Sequence, residues 1–115
     1  MAGKQTTAGL VLRILSTFAH ELDKDMPLSQ LLAFARVAAS GDAGVDQGKL
    51  MDDLSMSSAG ASRTIQALSS VHYLKDRAGF DVVERVLDRQ DNRRRFLKLT
   101  PKGDKLITKI SAILP

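Results

Sequence analysis

A pattern of alternating residues that ends in a helix-start signal constrains the fold of this chain more than any other feature. Residues 80–87 read as two interleaved sets, one of Phe80, Val82, Glu84 and Val86 and the other of Asp81, Val83, Arg85 and Leu87. The valines favour an extended strand, and alternation resumes through 94–99. The polar residues 88–92 between these runs predict the loop of a β-hairpin. Thr100 is a typical helix N-cap, and Pro101 suits the first helical position because that position needs no N–H donor. The sequence therefore predicts a hairpin that leads directly into a helix.

The positive charge of the chain is concentrated in the same stretch. Residues 84–105 contain eight basic and four acidic residues, which leaves a net charge of +4. The whole chain also carries +4, so the nine basic and nine acidic residues outside this stretch cancel in total. Arginines at a hairpin tip form either a solvated edge that prevents strand-to-strand aggregation or a surface that neutralises phosphates. The charge pattern alone leaves both interpretations open.

Apolar residues recur at steps of three and four along most of the remaining chain, which predicts helices around the hairpin. We predict helices at about 7–23, 29–39, 47–54, 58–73 and 101–114, with residues 1–4 as a loose end. Ser29 is expected to cap the second helix, and Val45 is expected to form a single strand residue before the third. The second helix is apolar over most of its circumference, so we expect it to be central.

The third and fourth predicted helices are joined by a short turn, which is the arrangement of a helix-turn-helix. In the fourth helix Ala61, Ile65 and Leu68 are predicted to face inward. The residues predicted to face outward are Ser58, Ser62, Arg63 and Gln66. Because an arginine-rich hairpin follows this unit, the order of elements predicts a winged helix-turn-helix. This fold is mainly α with a small β-hairpin wing, and we expect it as a single domain over residues 1–115.

Neither the composition nor the motif spacing supports an enzyme, a cofactor or a metal site. The sequence has no cysteine, and His20-Glu21 lacks the second histidine of a zinc-protease motif. Gly48-Lys49 lacks the leading glycine and the following hydroxyl residue of a phosphate-binding loop. No apolar run reaches the roughly 18 residues of a membrane span, and the N-terminal residues lack the uninterrupted apolar stretch of a signal peptide. We therefore expect a cytoplasmic protein that is not an enzyme and does not enter a membrane.

From about residue 28 to its end, the sequence resembles the MarR family of winged-helix transcription regulators. Residues 50–68, LMDDLSMSSAGASRTIQAL, match the helix-turn-helix of that family, with Ser62-Arg63 at the Ser-Arg pair common in its recognition helix. Asp91-Asn92-Arg93 matches the Asp-x-Arg of the family's wing tip. Leu99-Thr100-Pro101-Lys102-Gly103 matches the Leu-Thr-x-x-Gly that closes the wing and begins the C-terminal helix.

The resemblance implies a homodimeric, sequence-specific transcription regulator that binds double-stranded DNA, and we predict a repressor. It implies that the recognition helix enters the major groove with Ser58, Ser62, Arg63 and Gln66. It also implies that Arg93 lies in the minor groove and that Asp91 orients it by an ion pair. The remaining wing arginines are expected to contact phosphate, namely Arg89, Arg94 and Arg95.

The resemblance further implies that the first and last predicted helices interlock with those of a second chain. The apolar stripes of these helices are wider than a small monomer needs, which supports dimerisation independently of the family. The residues predicted at the dimer interface are Leu10, Ile14, Phe18, Leu106, Ile110 and Ile113. In the alternative arrangement, the two stripes pack on each other within one chain.

Three departures from the family pattern bear on function. Phe96 replaces the basic residue often found three positions after the wing arginine. The recognition face is built from small residues, with Arg63 and Gln66 as its only long polar side chains, so we expect modest base readout and dominant backbone contact. The chain is also shorter than typical members, which leaves the family's small-molecule pocket in question. Two other functions stay open: a winged-helix module that binds an acidic protein partner, and a non-specific architectural DNA binder.

Overall fold

The structure is a computed structural model that describes residues 3–70, 78–87 and 95–115. Its elements are α1 (Gly3–Glu21), α2 (Leu28–Ala39), β1 (Val45–Asp46), α3 (Gln47–Leu54), α4 (Ser58–Leu68), β2 (Val83–Leu87), β3 (Arg95–Leu99) and α5 (Pro101–Ser111). A short 3-10 turn at Gly41–Ala43 connects α2 to β1. The described residues thus form a mostly helical fold with one small sheet, and the predicted winged helix-turn-helix is confirmed.

The sheet is antiparallel, with the strand order β1-β3-β2. Leu97 at the centre of β3 pairs with Val45 on one side and with Arg85 on the other. Because side chains alternate between the two faces of a strand, Leu97 shares one face with Val83, and both side chains are buried. Glu84 and the residue opposite it, Lys98, lie on the other face, away from the core.

The core is aliphatic apart from two phenylalanines, and it joins residues of all five helices and the sheet. Its largest fully buried side chains include Phe34, Leu50, Leu68 and Leu97. Phe18 of α1 meets Phe34 of α2 edge to face, with ring centroids 5.5 Å apart, a favourable arrangement for aromatic pairs. This contact anchors the C-terminal half of α1 to the rest of the domain.

Side-chain caps set the start of three helices. The Asp46 carboxylate accepts a hydrogen bond from the Gly48 N–H at 2.8 Å and begins α3. Ser57 begins α4 in the same way, and Thr100 begins α5 by accepting from the Gly103 N–H at 3.1 Å. The Thr100 hydroxyl also donates to the Asp81 carbonyl at 2.6 Å, which joins the start of α5 to the segment that leads into β2.

Several bounds differ from the prediction at the helix ends. α1 already begins at Gly3, whose carbonyl accepts a hydrogen bond from the Thr7 hydroxyl at 2.9 Å, so residues 3 and 4 are helical. α2 begins at Leu28 with Pro27 as N-cap, which places Ser29 inside the first turn instead of at the cap. α5 ends at Ser111, three residues before the predicted end. Residues 71–73 of the predicted fourth helix lie outside the described residues.

Strand β2 begins at Val83, three residues later than predicted, because the preceding backbone is bonded to a helix. The N–H groups of Phe80 and Val82 donate to the carbonyls of Ala67 and Leu68, at 2.9 and 2.8 Å. These bonds satisfy carbonyls at the C-terminus of α4 that have no partner within the helix. The base of the wing is therefore attached directly to the end of α4.

Candidate nucleic-acid interface

The turn between α3 and α4 depends on a residue in the left-handed backbone region. Ser55 ends α3 with φ 54° and ψ 43°. The next residue, Met56, donates its N–H to the Met51 carbonyl at 2.9 Å, which closes the last turn of α3. A left-handed residue at a helix end reverses the direction of the chain within a few residues. Ser57 then caps α4, so the turn and the cap together set the angle at which α4 leaves the domain.

Helix α4 has one buried face and one open face, as the sequence predicts. Ala61, Ile65 and Leu68 are buried against the core. The four predicted recognition residues lie on the open face: Ser58 and Arg63 are exposed, and Ser62 and Gln66 are half-buried. The Gln66 amide donates to the Ser62 hydroxyl at 3.3 Å, so these two side chains form one polar surface. Hydroxyl and amide groups can both donate to and accept from base edges, while Arg63 adds a positive charge.

A cleft of about 300 Å³ lies beside Arg63, where the first turns of α2 and α4 meet. Its lining includes Ser29 and Gln30 from α2 and Ser57 and Gly60 from α4. Helix N-termini carry a partial positive charge and N–H groups without partners within the helix, which attract anions. Together with the Arg63 guanidinium, this cleft gives the rim of the recognition surface a positive character.

Most of the predicted wing residues fall outside the described part of the chain. Asp91, Arg89, Arg93 and Arg94 belong to the range 88–94, so their predicted roles stay predictions. Arg95 is described, and it is exposed at the start of β3.

Phe96 pairs with Val86 and is half-buried. It lies on the sheet face opposite to Leu97, so it points away from the core.

The structure places Arg85 beside Gln66 of α4, a neighbour that the sequence did not indicate. In the β2–β3 pairing Arg85 lies opposite Leu97, and Leu87 lies opposite Arg95, so both arginines are on the face that meets the helices. A cleft of about 320 Å³ between β2 and the end of α4 is lined by Ile65, Gln66, Ser69 and Arg85. Partial burial, and secondarily the charge of Arg95, lower the pKa of Arg85 below its ordinary value. Residue alternation in β2 predicts that Arg85 and Val83 lie on the same face of the strand, but it does not reveal which face of the sheet meets α4.

The six residues predicted for dimerisation fall into two groups. Phe18, Leu106 and Ile110 are buried inside the monomer, each less than 8% exposed. The half-buried ones are Leu10, Ile14 and Ile113. The large apolar side chains that stay open near them are Val11, Leu12, Leu15 and Leu114. The two terminal helices thus use part of their apolar stripes within one chain and leave another part uncovered.

The contact between α1 and α5 within one chain includes an ion pair and a pocket. Lys109 donates to the Glu21 carboxylate, and this hydrogen bond lowers the Glu21 pKa below its ordinary value. A pocket of about 290 Å³ lies beside this ion pair, and its apolar lining residues include Leu22 and Leu106. Lysines of α5 line its rim, and its volume is at the lower end for small-molecule sites.

Comparison with known proteins gives matches at the level of structure. No family model matches the sequence, and no match was found among curated proteins. A DNA complex of S. aureus MepR has a TM-score of 0.67 with this chain at 19% identity, over 95% of this chain and 82% of that chain. MarR gives 0.61 at 18% identity, over 98% and 75%. PcaV from Streptomyces coelicolor, in complex with its natural ligand, gives 0.60 at 16% identity, over 98% and 69%.

These similarities establish the fold. The structural neighbours are MarR-family transcription regulators, so the chain has the winged-helix fold of that family. The resemblance predicted from the sequence motifs is thereby confirmed at the level of architecture. Within the described residues, no helix has the length and apolar character needed to cross a membrane.

Proposed function

We propose that this chain is a homodimeric transcription regulator that binds specific sites in duplex DNA and acts as a repressor. The observation that carries the proposal is a single polar and basic surface. Arg63 and Gln66 contribute to this surface from the open face of α4. Arg85 and Arg95 contribute to it from strands β2 and β3 at the base of the wing. Two of the structural neighbours are MepR bound to DNA, which supports duplex DNA as the partner.

In the proposed complex, α4 lies in the major groove. The small residues of its open face, among them Ser58 and Ser62, let the helix backbone come close to the base edges. Arg63 has the geometry to bind a guanine edge with two hydrogen bonds, and Gln66 has the geometry to bind an adenine edge. With only two long side chains for base readout, we expect backbone contacts to supply most of the affinity.

The wing would extend the contact into the neighbouring minor groove. Arg93, oriented by Asp91, is the residue that we propose for that groove, because a narrow minor groove concentrates negative potential. The phosphate contacts proposed for the wing come from Arg89, Arg94 and Arg95. The roles of Asp91 and Arg93 follow from the motif at the wing tip, and those of the other arginines follow from the concentration of positive charge in the hairpin.

The dimer would form through the uncovered apolar side chains of the terminal helices. Leu12 is 65% exposed in the monomer, and Val11 and Leu15 lie beside it on α1. A cluster of this kind is typical of an interface. Two recognition helices related by a twofold axis would read two half-sites about one DNA turn apart, so the operator should be roughly palindromic. Occupying such a site within a promoter would repress transcription by excluding polymerase.

Dimerisation is tested by sedimentation velocity on the wild type and on Leu12→Glu. The wild type should sediment as a dimer, and Leu12→Glu should shift it to a monomer. Leu32→Glu is the matched control, because Leu32 is an exposed leucine on α2, outside the two terminal helices, and its replacement should leave the dimer intact. A wild type that stays monomeric at high concentration would contradict the dimer.

DNA binding is tested with a mixed-sequence duplex pool from which bound duplexes are recovered and sequenced at several salt concentrations. The proposal predicts steep salt dependence and an enriched, roughly palindromic site, and it predicts that Arg63→Ala blurs that enrichment. Steep salt dependence without enrichment would indicate an architectural DNA binder. Absence of binding at low salt would favour a protein-binding module instead.

A further inference from the structure

Arg85 and Arg95 are neighbours on the inner face of the hairpin. The register pairs Arg85 with Leu97 and Leu87 with Arg95, so the two arginines are diagonal neighbours across the strands. Diagonal side chains on one face of an antiparallel pair lie roughly 7–8 Å apart, within the reach of two long guanidinium groups. The hairpin therefore presents two positive charges together beside α4.

The two charges have no acidic partner within the described residues. The ion pairs described in the chain are those of Asp53 with Arg36 and Lys49, and of Glu21 with Lys109. The nearest acidic residue in β2, Glu84, points to the opposite face and lies across from Lys98. No acidic side chain of residues 3–70, 78–87 or 95–115 offsets the repulsion between the two arginines, and an anion placed between them would reduce it.

A cleft beside Arg85 suits a phosphate group. The cleft between β2 and α4 has a volume of about 320 Å³, and Gln66 and Ser69 line it together with Arg85. Gln66 also belongs to the open face of α4, so the cleft continues the recognition surface. A guanidinium offers forked N–H donors that match two phosphate oxygens, and the side chains of α4 add neutral polar groups.

The backbone fixes the position of this cleft relative to α4. Three hydrogen bonds join carbonyls at the end of α4 and at its C-cap to the segment before β2, and one of them runs from the Asp81 N–H to the carbonyl of the C-cap Ser69 at 3.1 Å. The chain passes so close to α4 that a Cβ on Gly79 would lie 1.7 Å from the Ser69 carbonyl oxygen. Arg85 follows this attachment by only a few residues. A binding site at Arg85 would therefore lie at a constant distance from the base-reading residues of α4.

We infer that Arg85 and Arg95 form a phosphate clamp at the junction between α4 and the wing, and that its ligand is a phosphate of the duplex DNA backbone. The inference rests on the proposed DNA-binding function and deepens it. The clamp holds the strand that passes between the major groove at α4 and the minor groove at the wing. It fixes the register of the recognition helix on the DNA, because phosphate contacts position a protein while base contacts specify the sequence.

The test compares the wild type, Arg85→Ala, Arg85→Lys and Lys98→Ala by fluorescence anisotropy with a mixed-sequence duplex at several salt concentrations. Lys98→Ala is the matched control, because it removes one positive charge from the same hairpin but from the opposite face. Arg85→Ala should weaken binding about tenfold and reduce the slope of log affinity against log salt by about one per subunit. Arg85→Lys should retain most of the slope, and Lys98→Ala should leave both quantities near those of the wild type. Circular dichroism of each variant verifies that it is folded.

The outcomes separate the clamp from the general proposal. If Arg85→Ala binds duplex DNA like the wild type, or if Lys98→Ala lowers the slope equally, the clamp is refuted while the DNA-binding function stands. A wild type that binds no duplex would refute both.

A titration of inorganic phosphate into the DNA-free protein, followed through the arginine Nε–H NMR signals, distinguishes the two sources of phosphate. The inference predicts no saturable change at Arg85, and saturation by free phosphate would overturn the assignment to the DNA backbone.

Discussion

Replacing Gly103 by alanine should destabilise this domain, although the same replacement stabilises most helices. Gly103 lies in the first turn of α5, where the helix meets the segment before β2. A Cβ at this position would lie 2.2 Å from the Val82 carbonyl oxygen, whereas ordinary contact begins at 3.4 Å. The obstacle is backbone, which cannot rotate away like the end of a flexible side chain. Helix α5 therefore has to move by about 1 Å to accommodate one methyl group.

One stabilising and two destabilising effects set the expected change in the free energy of unfolding. Alanine is about 1 kcal/mol more favourable than glycine within a helix. Overpacking costs about 3 kcal/mol at the upper end of its usual range, which applies because the contact is so short. Moving α5 also weakens the 3.1 Å hydrogen bond from the Thr100 N–H to the Val82 carbonyl, worth about 1 kcal/mol. The net loss in the free energy of unfolding is about 3 kcal/mol, or a melting temperature lower by about 10 °C.

Gly9→Ala is the matched control for this experiment. Gly9 lies within α1, and a Cβ there would meet nothing within 4 Å. Its replacement should therefore raise the free energy of unfolding by about 0.5–1 kcal/mol. Urea unfolding followed by circular dichroism, at one protein concentration for all variants, measures both changes. If Gly103→Ala were as stable as the wild type or as Gly9→Ala, the close packing of α5 on the wing base would be refuted.

The remaining predictions concern a helix cap, a turn and acid stability. Asp46→Ala should lower the free energy of unfolding by about 1 kcal/mol in urea denaturation, because it removes the N-cap of α3; a neutral result would contradict the cap. Ser55→Gly should raise the urea midpoint, since glycine adopts the left-handed conformation without a steric penalty; a lower midpoint would contradict the turn geometry. The hydrogen bond from Arg36 holds the Asp53 pKa below its ordinary value. The ionised Asp53 carboxylate therefore stabilises the folded state above the unfolded-state pKa near 4, and this stabilisation is lost as the pH falls through the folded-state pKa. Urea midpoints measured from about pH 6 to pH 3 should fall less in Asp53→Asn than in the wild type, and equal falls would contradict the pair.

The elements themselves were predictable from local sequence signals. The bounds of α3 agree with the prediction at both ends, because Asp46 is an effective cap and the apolar pattern ends at Leu54. The strands of the wing follow from residue alternation, and Pro101 after Thr100 marked the start of α5 correctly. These signals act between residues close together in the chain, so the sequence displays them directly.

What the sequence did not reveal depends on contacts between distant segments. The sequence shows that Phe18 and Leu106 lie on apolar stripes of the terminal helices. It does not show whether these stripes are covered by the same chain or by a second copy. The structure buries both within the monomer and leaves Leu12 open. The strand β2 begins late because its approach is bonded to α4, a contact across more than ten residues. Arg85 was missed for the same reason, since only the packing of the sheet shows which of its faces meets α4.

The most direct test of the proposed interface is a map of amide chemical-shift changes in isotope-labelled protein as duplex DNA is added. We predict the largest changes on the open face of α4, around Ser58 to Gln66, and on the inner face of the hairpin at Arg85 and Arg95. Glu84 and Lys98 on the opposite sheet face should change little. Changes confined to α1 and α5, or no changes at low salt, would contradict the assignment of α4 and the wing base as the DNA-binding surface.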